Sequence, residues 1–146
     1  MLRDVGLVPT IQRLAVLRCL RKTKQHPTAD QVLGTVRRRF PSISRATVYN
    51  TLDALTKTGM ILRLHVEPTV ARYDADIAPH AHFHCRVCRK VYDMEGKSSR
   101  TVDVNADGHL VESITTYAYG VCASCRERED GCVPPPTSQE GGTHNA

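Results

Sequence analysis

Two pairs of cysteines, Cys85-x-x-Cys88 and Cys122-x-x-Cys125, constrain this 146-residue chain more than anything else in it. A C-x-x-C turn is tight enough to aim both sulfurs at one point, and two such turns offer four thiolates to a tetrahedral ion. That donor set suits Zn²⁺, with Zn–S distances of about 2.3 Å. All four positions of the ion are then filled by protein, so the zinc is structural and has no open place for a reactive water. Composition explains why a staple is needed. Hydrophobic residues make up 40% of the chain, but aromatics only 5%, with no Trp. Each core is therefore small, and small cores lean on a metal or a partner chain. The start of the chain carries Asp4 and lacks the apolar stretch of a secretory signal, which points to a cytoplasmic, reducing setting. No run approaches the roughly 20 apolar residues that cross a membrane. Cys19 falls inside an expected helix and reads as apolar filler, and Cys132 as a spare thiol in a polar tail.

Charge divides the chain. Residues 1–72 hold 13 Lys and Arg against 4 Asp and Glu, a net of +9, while residues 73–146 hold 7 against 11, a net of −4. A basic front and an acidic back suggest a nucleic-acid module joined to something else. The front half reads as three capped helices and a hairpin. Thr10 caps a helix carrying Leu14, Leu17 and Leu20. Thr28 caps a second with Val32, Leu33 and Val36 inward, ended by Pro41. Ser44 caps a third with Val48, Leu52 and Leu55 on one stripe, stopped by Gly59. Strands are expected over Met60–Val66 and Val70–Asp74 around a turn at Pro68. Three short helices and a hairpin are the order of a winged helix-turn-helix, whose third helix reads DNA. With Val48 inward, Arg45, Thr47, Tyr49, Asn50 and Thr51 are left outward, and these side chains reach phosphates and base edges from the major groove. Arg63 on the wing is placed to follow a phosphate backbone.

The back half holds a second group of ligand types. His80-x-His82 puts two imidazoles on one side of an extended chain, with Asp74 and Asp93 flanking them. A nitrogen and oxygen shell of this kind suits Fe²⁺, Mn²⁺ or Zn²⁺ and disfavours Cu(I). His84 lies on the same strand face but abuts Cys85, so it belongs to either site. His65 and His144 read as bystanders, and His109 is unassigned. Strands are expected at Lys90–Met94 and Ser113–Tyr117, and Gly96–Gly108 has few helix formers.

Taken together, these residues resemble the ferric uptake regulator family. One stretch runs from His26-Pro27-Thr28-Ala29-Asp30 through Ser44-Arg45-Ala46-Thr47-Val48-Tyr49-Asn50-Thr51. The other runs from Arg72-Tyr73-Asp74 through His80-x-His82, Cys85-x-x-Cys88 and Asp93 to Tyr119-Gly120-Val121-Cys122-x-x-Cys125. The resemblance covers residues 5 to 126. It implies a mixed α/β (α+β) chain with a winged-helix DNA-binding domain over residues 1–74, a hinge at 75–82 and a dimerisation and metal-binding domain at 83–128, while the Pro- and Gly-rich polar composition of 129–146 reads as a disordered tail. It also implies a long-range ligand, His26, completing a regulatory shell of His26, Asp74, His80, His82 and Asp93 for Fe²⁺ or Mn²⁺, beside the structural Zn²⁺. A homodimer closed by that metal would bind a palindromic double-stranded operator and repress transcription.

Asp rather than Glu at position 93 resembles the peroxide-responsive branch, in which an iron-bound histidine is oxidised. By resemblance the oxidised residue is His26 or His80. Iron-, manganese- and zinc-responsive branches use the same scaffold and stay open as alternatives. Pro79, Ala81, Arg100 and Ile114 occupy the positions aligned with an additional metal site of many iron sensors, so that site is expected to be missing. An enzyme of the zinc deaminase type needs a place on its zinc for an activated water, which a four-thiolate site does not offer, and no small organic substrate is implied. A structural zinc-ribbon module would account for the cysteines but leave the basic helix and the Asp/His group unused. A metal-independent DNA binder would make the histidines incidental.

Overall fold

A computed structural model describes residues 2–94, 108, 110 and 114–128. The segment 96–107 and the tail from 129 onward, with Cys132 and His144, lie outside the described residues, as does His109. Helix α1 (Ile11–Arg21) opens at Thr10, whose hydroxyl accepts the Arg13 amide at 3.1 Å. Helix α2 (Ala29–Arg37) opens on a capping box. The Thr28 hydroxyl accepts from Gln31 N, and the Gln31 side chain accepts from Thr28 N at 2.8 Å. Helix α3 (Arg45–Lys57) opens at Ser44, whose Oγ accepts the Thr47 amide at 2.9 Å. It closes on Gly59 at φ 70°, with Met60 N–H bonded back to the Leu55 carbonyl at 3.0 Å. That six-residue return is a Schellman end, and the left-handed position explains the glycine.

The three helices bury Val16, Leu17, Leu20, Val32, Leu33, Val36, Val48, Leu52 and Leu55 in one core with Ile43, Ile61 and Tyr73. Strands β1 (Leu62–Leu64) and β2 (Arg72–Asp74) pair antiparallel as the wing, Leu62 opposite Asp74. Both are shorter than the sequence pattern suggests. Leu64, paired with Arg72 at the end of β1, and Val66, just beyond it, make a second small core with Val91, with Leu62 and Tyr117 packed against it. That burial gives the chain more than two further rungs of an isolated two-stranded ladder would.

The back half is a three-stranded sheet. Strand β3 (Ala81–Cys85) lies between β4 (Val91–Met94), antiparallel, and β5 (Thr116–Gly120), parallel. Strand β5 starts three residues later than the expected Ser113, because alternation from Thr116 sets Tyr117 and Tyr119 against the histidines of β3. A short helix α4 (Ala123–Arg128) follows. The second cysteine pair therefore sits on a strand-to-helix turn, with Cys122 between β5 and α4 and Cys125 in α4.

The recognition-helix expectation needs one correction. Thr51 was placed outward, but it is 4% exposed. Positions 48, 51, 52 and 55 are i, i+3, i+4 and i+7, so Thr51 completes the inward stripe and cannot reach DNA. Arg45, Tyr49 and Asn50 are exposed, and Thr47 is half-buried. Arg45 Nη1 lies 3.0 Å from Asp30 Oδ1, the Tyr49 hydroxyl donates to the same oxygen at 3.2 Å, and the guanidinium stacks on the Tyr49 ring. Arg63 is on the wing, but its head folds back onto Asp53 at 3.3 Å and over the Tyr73 ring.

Candidate metal centre

Among the described residues, two groups bring at least three His, Cys, Asp or Glu ligand atoms within 4.8 Å of one another. The first is Cys85, Cys88, Cys122 and Cys125. Cys85 ends β3, the chain turns through Cys88 into β4, and Cys122 follows β5. Since β3 and β5 are neighbours in register, Cys85 lies opposite Gly120, and the two turns meet at one end of the sheet. The Cys122 amide donates to Cys85 Sγ at 3.3 Å, and Cys88 Sγ lies 3.8 Å from Cys122 Sγ. Burial works against ionising Cys85, but the amides of Cys122, Cys88 and Val87 bring it down to about 6. Burial pushes Cys125 up to about 12. Four thiols of this kind surrender protons when a cation enters, and the donor set is that of a closed, structural Zn²⁺ site.

The second group is His26, Asp74, His80, His82 and Asp93. Antiparallel pairing puts His82 directly opposite Asp93. His80, two residues before His82, presents its ring to the same side, and the two ring centroids are 4.3 Å apart. Asp74 comes from the end of β2. His26 comes from the loop between α1 and α2, carried there by a bridge between Thr28 and Arg72 and by the Tyr73 amide bonded to the Pro27 carbonyl at 3.0 Å. Its backbone is at φ 49°, an unusual left-handed position that neighbouring contacts must hold.

Asp74 Oδ2 is the centre of the group. It lies 3.3 Å from His26 Nε2, 3.1 Å from His80 Nε2 and 3.2 Å from His82 Nε2. Asp93 Oδ1 lies 2.7 Å from His26 Nε2 and 3.3 Å from His80 Nε2. Yet His26 Nε2 and Asp93 Oδ1, both buried, lack the in-line geometry of a hydrogen bond. Close approach without hydrogen-bond alignment is what lone pairs converging on a shared cation require. Around them, His80 Nδ1 is 2.7 Å from the Ala78 carbonyl, which fixes its proton there and leaves Nε2 free as a ligand. The Asp76 amide holds Asp74 Oδ1 at 2.8 Å. Three imidazoles and two carboxylates suit Fe²⁺, Mn²⁺ or Zn²⁺.

Electrostatics gives a pH prediction. Burial opposes charging His26, but Asp74 and Asp93 outweigh it and raise its pKa above 6.5. For His80 burial is likewise outweighed, by the Ala78 carbonyl and by Asp74 and Asp93. Burial would raise Asp74, but His26, His82 and the Asp76 amide hold it far below the carboxylate range. Raised histidine pKa values stabilise the metal-free fold at pH below 6.5, and that contribution is lost as the pH climbs through the raised values. A metal needs the neutral rings, so it expels those protons. Mn²⁺ affinity should fall with acidity below neutrality, by up to about tenfold per pH unit for each proton displaced. Titration calorimetry in two buffers of different ionisation enthalpy measures the release, and binding near pH 6.5 with no proton release would contradict the assignment.

The structure thus brings all five sequence-suggested regulatory ligands together, and all four thiols. His84 belongs to neither site: it is buried, with Nε2 3.7 Å from Glu67. His65 is exposed. The sequence reasoning missed Lys24, whose Nζ lies 3.4 Å from Asp93 Oδ2, and the buried Glu67 with Arg72 and Arg89 around it. No spacing marks these residues, since they meet only through the fold.

A winged helix joined to a small sheet, with a four-thiol staple and a five-ligand shell spanning the two, defines a metal-responsive regulator of transcription. The sequence profile of the Ferric uptake regulator family matches residues 4–109. The chain belongs to that family. The peroxide-responsive repressor PerR of Staphylococcus aureus is 32% identical over 131 residues, which span 87% of this chain and 88% of that protein. The Campylobacter jejuni peroxide stress regulator superposes with a TM-score of 0.67 at 28% identity, over 85% of this chain and 93% of that one. The Vibrio cholerae ferric uptake regulator, whose DNA-binding domains are described as rearranged, superposes with the same TM-score at 25% identity, over 83% and 96%. Like its family, the chain is a dimeric, metal-responsive, DNA-binding repressor and not an enzyme. Among the described residues no helix is long and apolar enough to cross a membrane.

Proposed function

We propose that this chain represses genes from a palindromic operator and senses hydrogen peroxide through oxidation of His26 or His80, acting in the cytoplasm. The observation that carries the reading is the shell itself. His26 belongs to the winged-helix half, and its Nε2 lies 2.7 Å from Asp93, which belongs to the sheet half. A metal held by both halves favours the closed arrangement by as much as it binds that arrangement more tightly. The hinge is residues 75–82, of which 75–80 link β2 to β3, between a winged-helix domain at 1–74 and a dimerisation and metal-binding domain at 83–128. Closing it sets the distance between the two α3 helices of a dimer. On each helix Arg45, Thr47, Tyr49 and Asn50 contact DNA, while Arg63, already bound to Asp53, takes a smaller part.

The short side chain at Asp93 supports Fe²⁺ or Mn²⁺ as the regulatory metal, and the similarity to named peroxide-responsive repressors favours iron. When bound, Fe²⁺ supplies the electrons that reduce peroxide. The chain supplies the oxidisable groups beside it, namely His26, which is 1% exposed, and His80, which is nearer solvent. An oxidised imidazole ligates poorly, so the two halves separate and the operator is released. The test is the peptide mass of Fe²⁺-loaded protein after brief, low-dose peroxide. One added oxygen on the peptide holding His26 or His80, absent from the Mn²⁺ form, is the expected result. Unmodified histidines with metal-dependent DNA binding intact would reduce the function to an iron, manganese or zinc sensor.

A further inference from the structure

Glu67 is a carboxylate at the tip of the wing, and it is only 6% exposed. Burying a charge is costly unless it is paired and hydrogen-bonded. Here the pairing comes from both halves of the molecule. Arg72 of β2 donates to Glu67 Oε1 from Nε at 3.1 Å and from Nη2 at 2.9 Å. Arg89, which follows the first cysteine pair, donates to Oε2 from Nε at 3.0 Å and also from Nη2. Each oxygen thus takes two N–H bonds from one guanidinium. These are charge-assisted, forked contacts, each guanidinium closing on a single carboxylate oxygen, and they impose geometry as well as attraction.

Arg72 does more than neutralise Glu67. Its Nη2 also donates to the Arg89 carbonyl at 2.8 Å, and its Nη1 reaches the His26 carbonyl at 3.4 Å. One side chain therefore touches the wing, the cysteine turn and the loop that carries the long-range metal ligand. Arg89 sits at φ 61°. That conformation favours glycine, and a long cationic side chain there is explained only by what its head reaches. Its amide bonds the Cys85 carbonyl at 2.9 Å, so its position is set by the same turn that presents Cys85 and Cys88. The apolar contacts of Leu64 and Val66 with Val91, and the His65 amide bonded to the Tyr117 hydroxyl at 3.1 Å, lie on the same seam.

We propose that Glu67, Arg72 and Arg89 form a clasp that ties the winged-helix half to the cysteine turn independently of the regulatory metal, and so presets His26 against Asp93. This deepens the hinge reading above and rests on it. An ion that must first close an open hinge binds more weakly in proportion to how rarely the closed form is populated. The clasp removes part of that loss. It acts as a positioning device: none of its three side chains belongs to either ligand group.

Arg89→Gly is the discriminating variant. Glycine relieves the left-handed backbone, and Glu67 keeps Arg72, so no charge is orphaned. Spin labels attached through unnatural residues at exposed Arg18 and Glu127 measure the distance between the halves in protein holding zinc alone. The parent should already populate the closed distance in part, with Mn²⁺ completing the closure, and Arg89→Gly should give a broader distribution with less of the closed distance. Mn²⁺ affinity should fall about tenfold, as when the closed fraction drops to about a tenth. Zinc content, and operator affinity at saturating Mn²⁺, should stay as in the parent, and Arg89→Lys should recover part of the Mn²⁺ affinity. A merely structural Arg89 would instead lower zinc content or saturated operator affinity. A distance distribution in Arg89→Gly as narrow as the parent's overturns the clasp. If the parent itself binds its operator without regard to metal, the repressor mechanism fails instead, while the distance measurement still decides the clasp.

Discussion

Replacing Cys85 with serine should remove zinc and with it the folded back half. Cys85 is fully buried, ends the central strand, and accepts the Cys122 amide at 3.3 Å. Its buried apolar neighbours are few: the cluster there is Cys85, Cys122 and Cys125, with Phe83 and Val121 packed against it. A sheet of three short strands with so little beneath it cannot offset the entropy of ordering its own chain. Structural zinc in small domains contributes an apparent stabilisation on the order of 10–16 kcal/mol. Serine leaves three thiolates and a poor fourth ligand, so most of that contribution is at risk. The expected results are less than stoichiometric zinc by elemental analysis, monomer in place of dimer by sedimentation, and loss of operator binding. The front half has its own core of helices, so helical circular dichroism should largely persist. A zinc-free variant that remains a stable dimer would show that the cysteines are not the staple.

The parts of this arrangement differ in how far they can be read from the chain alone, and the reason is the range of the interactions. Helix starts are local: Thr10, Thr28 and Ser44 each bond an amide three residues on, so the caps are legible to the residue. The thiol group is legible because C-x-x-C closes within one turn. Asp93 opposite His82 depends on strand register, and alternation in β3 and β4 makes the match plausible before the fold is known. His26 is another matter. It reaches the shell across 48 residues to Asp74, through a backbone bridge that no periodicity announces, and only resemblance to a family pointed to it. Thr51 misled because a polar residue on a helix beside a clear apolar stripe reads as outward. In fact its methyl fills the i+3 position of that stripe. Arg63 is legible as a cation on the wing, but its ion pair with Asp53, ten residues earlier, is not. Glu67 and Arg89 gave no signal, since a charged residue beside a proline and an arginine after a cysteine are ordinary in a polar loop.

His26→Ala is the sharper test of how the two halves communicate. The imidazole is 1% exposed, and its Nε2 is within 3.3 Å of carboxylates from both halves. Alanine removes one of the five ligands and the one furthest from the rest in sequence. The other four remain: Asp74 at the end of the wing, and His80, His82 and Asp93 in or beside the back sheet. These can still bind Mn²⁺, but that binding no longer involves the loop before α2. Asp74 then remains the one ligand from the winged-helix half, so the ion discriminates less between the two arrangements and its coupling to the position of α3 is weakened. Two effects should separate in the measurement. Mn²⁺ affinity should fall on the order of 100-fold, at the upper end of the 10–100-fold typical of losing a residue that merely orients a ligand. The gain in operator affinity on adding Mn²⁺ should shrink well below the parent's, even at Mn²⁺ concentrations that fill the remaining ligands. Zinc content and the dimer should be unchanged, since the four-thiol group lies apart from this shell. The removal also deletes a buried cation-forming group between Asp74 and Asp93, leaving two carboxylates facing each other in the metal-free protein. The metal-free fold should therefore lose its stabilisation below pH 6.5, where protonated His26 offset that repulsion, and differ less from the parent above the raised pKa. If His26→Ala gains as much operator affinity as the parent on adding Mn²⁺, closure does not run through the loop before α2, and the regulatory signal must pass through Asp74 and the wing alone.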